Sequence, residues 1–140
     1  MSRVRSLLTM DAMPVRQDLA LLILRVWMAG GLAALHGWGK IERLSADPVK
    51  FADPFGMGPE MSLMLAVLAE VGGALLVAIG LGTRWVALAI IFTLGTAFFT
   101  AHHGALTGQG NGELPFVYMA GFVALFVAGP GRFSVDARLR

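Results

Sequence analysis

Four apolar stretches, each close to the length needed to cross a lipid bilayer, fill most of this chain of 140 residues, and only two charged residues interrupt them. The first runs from Leu19 to Leu35 around Arg25 and the second from Met61 to Ile79 around Glu70, while Trp85 to Ala101 and Leu114 to Ala128 carry no charge. A helix rises about 1.5 Å per residue and roughly 20 residues span a hydrocarbon core of about 30 Å, so each stretch crosses once its flanking turns are helical too. Lipid offers no partner to backbone N–H and C=O groups, which leaves the helix as the form these stretches take. The expectation is an all-α fold: a polytopic membrane four-helix bundle, one transmembrane domain over residues 1–140, with spans at about 19–37, 60–80, 84–103 and 114–129.

Composition closes the alternatives. With 56% hydrophobic and 14% charged residues, the chain has more apolar surface than a water-soluble fold of this size can hide. The absence of cysteine excludes disulfides, thiolate metal sites and thiol catalysis. Net charge is +2, but the basic residues stand singly, so no nucleic-acid partner is expected. Helix punctuation agrees with the spans: Pro14, Pro59 and Pro115 sit where first-turn prolines are tolerated, Gly80 and Gly82 close the second span, and Thr83 is placed to cap the third. A tight turn therefore joins spans two and three, against longer connections over His36 to Glu60 and His102 to Glu113.

Loop charge sets the expected orientation. Arg3, Arg5, Arg16, Arg84, Arg132, Arg138 and Arg140 share one side, against Lys40, Arg43 and Lys50 on the other, and seven against three places both termini in the cytoplasm. An Arg inside the first span, and that span's length, argue against reading it as a cleaved signal peptide. Threaded this way, Arg25 and Glu70 lie at matching depths, roughly 12 to 14 Å below the surface. An unpaired charge there costs several kcal/mol, which predicts a buried Arg25–Glu70 ion pair, serving either bundle register alone or a proton relay or ligand anchor.

A second constellation gathers at the outer rim. His36 and Lys40 end the first span on the stripe that carries Arg25, His102 and His103 end the third, and Glu113 leads into the fourth ahead of Tyr118. Imidazoles at this level can donate to a quinone carbonyl or ligate haem iron, with Glu113 or Tyr118 completing a proton path. Together with Met57, Met61 and Met64 they can also ligate copper as Cu(I). The plain alternatives are interfacial imidazoles bonded to loop carbonyls and methionines that only pack. Beyond span four, Gly129-Pro130-Gly131 stops the helix, Ser134 and Asp136 favour local backbone bonds, and Asp136 is expected near Arg84 or Arg132.

The order and spacing of several short pieces resemble the DoxX family of bacterial four-helix membrane proteins from about Leu19 to Asp136. They are Leu24-Arg25, His36-Gly37-Trp38-Gly39-Lys40, Glu70-Val71-Gly72-Gly73-Ala74-Leu75-Leu76, Gly80-Leu81-Gly82-Thr83-Arg84, Glu113-Leu114 and Gly129-Pro130-Gly131-Arg132-Phe133-Ser134-Val135-Asp136. The resemblance implies a multi-pass protein of the bacterial inner (plasma) membrane. For some members it also implies association with quinone-linked redox systems, and for others partnership with soluble redox or stress-response proteins. It supplies no catalytic set; Arg25, His36, Lys40, Glu70, Arg84 and Glu113 carry over as motif positions only.

Two functional classes follow. One is a redox subunit binding quinone at the outer ends of helices 1, 3 and 4, within a membrane complex or a homo-oligomer, and it needs a cleft. The other is a non-catalytic anchor or assembly factor, which needs an ordered docking surface. No flavin or nicotinamide fingerprint and no nucleophile with a base partner is present, so electron transfer requires a bound cofactor or a second protein.

Overall fold

The computed structural model describes residues 16–139, so the expectations for Arg3, Arg5, Pro14 and Arg140 lie outside the described residues. Four helices cross one another up and down: α1 over Gln17–Arg43, α2 over Pro59–Ile79, α3 over Thr83–Thr100 and the shorter α4 over Glu113–Ala128. A last short helix, α5, covers Val135–Arg138. Among the described residues there is no strand. Each long helix packs on two neighbours, α1 on α2 and α4, and α3 on α2 and α4, so the bundle is square in section.

The helices follow from their apolar runs, and their inner faces from spacing. On α3 the buried positions are Thr83, Ala87, Ile90, Leu94 and Phe98, the three-and-four step of one helix face. On α2, Leu63, Ala66, Glu70, Ala74 and Val77 do the same, which places Glu70 in the buried stripe rather than toward lipid. Large apolar side chains cover the outside: Trp27 is 78% exposed and Trp85 80%. In water that surface would be prohibitive, whereas in hydrocarbon it is the solvated face.

Two helices are interrupted. α1 carries a π-helical segment at Leu32–Gly37 and α2 another at Leu68–Gly73. The buried stripe of α1 records this directly, stepping from Arg25 to Ala29 to Leu32 and then five residues to Gly37. A turn closed by i→i+5 bonds absorbs one residue more than an α-turn, so everything beyond it is rotated by about 100° from the stripe a regular helix would have. The two π segments pack against each other. Their close approach depends on Gly37, where a Cβ would stand 3.3 Å from the Glu70 carbonyl oxygen and collide with the Val71 side chain.

The end of the bundle holding Arg16 and Leu139 is tightly closed. The α2–α3 turn uses Gly80 (φ 77°) and Gly82 (φ 60°), left-handed conformations that other residues adopt only at a cost. Asp136, from the C-terminal segment, accepts the N–H groups of Gly82 (2.7 Å) and Thr83 (2.9 Å) and so caps α3 from outside. This corrects one expectation, that Thr83 caps the helix. Thr83 is the first residue of α3 and its buried hydroxyl has no hydrogen-bond partner among the described residues. Asp136 meets the helix N-terminus, one residue from Arg84, where two N–H groups and the positive end of the helix dipole suit a carboxylate.

Candidate functional site

Arg25 and Glu70 are both buried, at 1% and 2% exposure, but they do not pair. The guanidinium of Arg25 donates to the carbonyls of Pro130 and Phe133, each at 2.6 Å. Its charge also feels Asp136. Glu70 instead forms an ion pair with Lys40. The reason is register. The first turns of α1 project past the α2–α3 turn and pack on the C-terminal segment, where Asp18 accepts the Arg132 N–H at 2.8 Å. Arg25 thereby stands level with Gly80, at which a Cβ would collide with its guanidinium, while Glu70 stands level with Gly37. Ten residues of α2 separate those levels, or about 15 Å, and no side chain spans that.

The remaining expected site residues divide into three groups. His36 meets Tyr118 of α4 edge to face, with ring centroids 5.3 Å apart, and lies in the electrostatic field of both Glu70 and Lys40. It faces α4 because the π segment has turned it off the stripe of Arg25, so Arg25, His36 and Lys40 do not form one line. His102 is half-buried at the end of α3 and lines a groove described below. His103, in a left-handed conformation (φ 53°), and Glu113, on the first turn of α4, are exposed. Met57, Met61 and Met64 are each about half exposed on the outer surface. No group of three or more His, Cys, Asp or Glu among the described residues is placed to hold a metal ion.

The centre of the site is therefore the Lys40–Glu70 pair. Lys40 extends from the last α-helical turn of α1, and Glu70 lies inside the π segment of α2, opposite the π segment of α1. Such turns leave backbone groups less regularly bonded and recur at functional positions. The pair borders a groove of about 1090 Å³ between α2 and α3. Small residues keep it open, among them Ala69, Gly72, Ala89 and Ala97, with open space before Gly72. Thr93, Thr96 and Thr100 turn their hydroxyls back to the carbonyls of Ala89, Phe92 and Thr96 at 2.7 to 3.0 Å, so the wall they present is largely apolar. The α1–α2 connection covers part of the groove, and Phe55 stacks on Phe92 of α3 with centroids 5.9 Å apart and planes 12° from parallel.

That connection is held by Asp53, which accepts the N–H groups of Gly58 (2.8 Å) and Met57 (2.9 Å) and the hydroxyl of Ser62 (2.9 Å). The Gly58 N–H, with smaller help from Ser62, Met57 and Gly56, holds the Asp53 carboxyl below the usual aspartate range against some desolvation. Sequence reasoning missed the groove and its cover. Paired glycines at Gly72-Gly73 were a signal, but which one faces a neighbour and which faces open space depends on the π segment.

The DoxX family model matches residues 20–103. The inner membrane protein YqjF of Escherichia coli (strain K12) is 34% identical over 128 residues, covering 88% of this chain and 94% of its own length. The inner membrane protein YphA of the same organism is 39% identical over 87 residues, covering 57% of this chain and 62% of its own. No solved structure matches the chain.

Proposed function

The chain belongs to the DoxX family and is a multi-pass protein of the bacterial inner membrane, and from that premise we propose that it serves as the membrane subunit of a quinone-linked redox system. The observation that carries this reading is an ion pair between buried Glu70 and part-buried Lys40, bordering an apolar groove on the lipid side of the bundle. The groups present fit a quinone head. The Lys40 ammonium offers N–H donors to a carbonyl oxygen, Glu70 is a carboxylate able to exchange a proton beside it, and the walls of α2 and α3 exclude water. A bound quinone supplies the two-electron chemistry that no side chain of this protein supplies.

Within that arrangement Lys40 orients and Glu70 carries the proton. Each neutralises the other when no ligand is present, so neither charge is stranded in a medium where that costs several kcal/mol. His36 and Tyr118 stand behind the pair as the next hydrogen-bonding groups toward α4. Electrons reach such a site through a partner protein, in a complex or between copies of this chain. The test is titration of protein in lipid nanodiscs with a decyl-tailed benzoquinone, read by tryptophan fluorescence, since Trp85 lines the groove. Saturable binding is expected, weakened about tenfold or more by Glu70→Gln and by Lys40→Met, which is roughly what losing a charged hydrogen bond is worth. Absence of saturable binding, or affinity indifferent to both substitutions, would end this reading.

A second reading has one observation of its own. The C-terminal segment is pinned by Arg25 and Asp136, yet exposes Phe133 and Leu139, at 59% and 72%. An ordered surface of that kind suits an anchor for a soluble partner. Capture of a redox enzyme that persists in Glu70→Gln but fails in Phe133→Asp favours it.

A further inference from the structure

The head-group pair uses little of the groove it borders. Drug-sized ligands fill pockets of roughly 300–1,000 Å³, and this one measures about 1090 Å³, so a ring seated at Lys40 and Glu70 leaves most of it empty. From Trp85 to Thr100 along α3 the groove runs roughly 22 Å, a large part of the hydrocarbon thickness. It opens sideways into the bilayer, because Leu68 on α2 and Phe92 on α3 are among the exposed residues that border it. The hydroxyls of its three threonines are satisfied within α3.

The connection above it points the same way. Phe92 stands near the middle of α3, so Phe55 of the connection reaches mid-helix depth to stack on it. Irregular backbone at membrane depth is tolerated only where it rests on protein or lines a cavity. Here it roofs the groove, with Phe51, Pro54, Phe55 and Met57 among the lining residues. Inside, α2 offers no side chain at Gly72, where a Cβ would meet nothing within 4 Å. A helix position that gains stability from almost any side chain, and has room for one, is left bare.

We infer that the groove between α2 and α3, under the Phe55 connection, seats the long hydrocarbon tail of a membrane-borne ligand that arrives laterally from the bilayer, its head at Lys40 and Glu70. The identity of the head rests on the function proposed above, whereas the tail seat rests on the groove alone. Selectivity then lies in tail length as well as in the head, and a water-soluble short-tailed analogue is a poor ligand.

Gly72→Leu is the test, because it adds apolar bulk to the floor of the groove at a position where a Cβ meets nothing within 4 Å, and leaves Lys40 and Glu70 themselves unchanged. In nanodiscs, a decyl-tailed benzoquinone and its tail-free counterpart are titrated into the unaltered protein, Gly72→Leu and Glu70→Gln. The expected result is loss of affinity in Gly72→Leu of about tenfold for the tailed compound, the worth of roughly two buried methylenes, and no change for the tail-free one. Glu70→Gln weakens both. Equal affinity of unaltered protein and Gly72→Leu for the tailed compound overturns the tail seat while leaving the redox reading intact. If neither quinone binds, the redox reading fails and the tail seat is judged with a diazirine-bearing hexadecanol. Photolabelling concentrated on α2 and α3 and lost in Gly72→Leu supports it; labelling spread evenly over the lipid-facing surface overturns it.

Discussion

The two ends of this bundle bury charge by opposite means. At the end that holds Arg16 and Leu139, the Arg25 guanidinium is bonded to two backbone carbonyls and the Asp136 carboxylate to two backbone N–H groups, so both partners are fixed parts of the chain. In the other half, Glu70 is met by the flexible side chain of Lys40, beside open volume and two facing π segments. A charge satisfied by backbone has no way to exchange its partner without unfolding a turn. A charge satisfied by a four-carbon stem can do so by rotating it, which suits the first end to holding the fold and the second to holding a ligand.

The sharpest way to break this contrast is to compare Arg25→Leu with Lys40→Met. Arg25→Leu strands two carbonyls and is expected to cost roughly 3 kcal/mol or more of stability, seen as a lower unfolding midpoint, with ligand affinity nearly unchanged in the fraction that folds. Lys40→Met is expected to cost less stability and most of the binding. In a double-mutant cycle with Glu70→Gln, the pair should show a coupling between about 0.5 and 3 kcal/mol. Reversal of the two orders would mean that the ends do not differ in role.

Asp136→Asn sharpens the same contrast with a smaller effect. Loss of the external cap on α3 should cost about 1 kcal/mol. Hydrogen exchange is expected to quicken at the Gly82 and Thr83 amides while those of α1 keep their protection. If the whole bundle loosens together, the closed end is not a separable unit.

The smallest expected effect concerns the roof of the groove. Asp53 has a depressed carboxyl, so its contribution is complete above the ordinary aspartate value of 3.8 and disappears as pH falls through the lowered one. The Met57 and Gly58 amides should therefore keep constant exchange protection, after correction for intrinsic rates, from neutral pH down to about pH 4 and lose it below. Loss of protection at pH 6 would place control of the roof elsewhere.

Much of the fold was readable from apolar run length, because lipid permits so few alternatives to a helix. The turn glycines at Gly80 and Gly82 and the first-turn Pro59 were legible for the same local reasons. Partner choice was not. Arg25 and Glu70 were matched by counting from hydropathic ends, but α1 begins earlier and overshoots the turn it passes, so the count slipped by several turns. The shared stripe of Arg25, His36 and Lys40 failed because no residue type marks a π segment. What marks it is a five-residue step in burial, from Leu32 to Gly37, visible only once the neighbours are in place. Glu70 and Lys40 were both recognised as candidates. That they meet depended on the absence of a side chain at Gly37, which lets α1 and α2 close on each other at that level.

Asp136 closes the α2–α3 turn from a distance of more than fifty residues along the chain. During synthesis the first three helices are therefore complete while the N–H groups of Gly82 and Thr83, and the guanidinium of Arg25, still await groups not yet translated. The last stretch acts as a clasp on a hinge already in the bilayer. A nascent protein halted before residue 130 lacks the carbonyls that bind Arg25 and the carboxylate that binds Gly82 and Thr83, and so holds the α2–α3 turn unclasped.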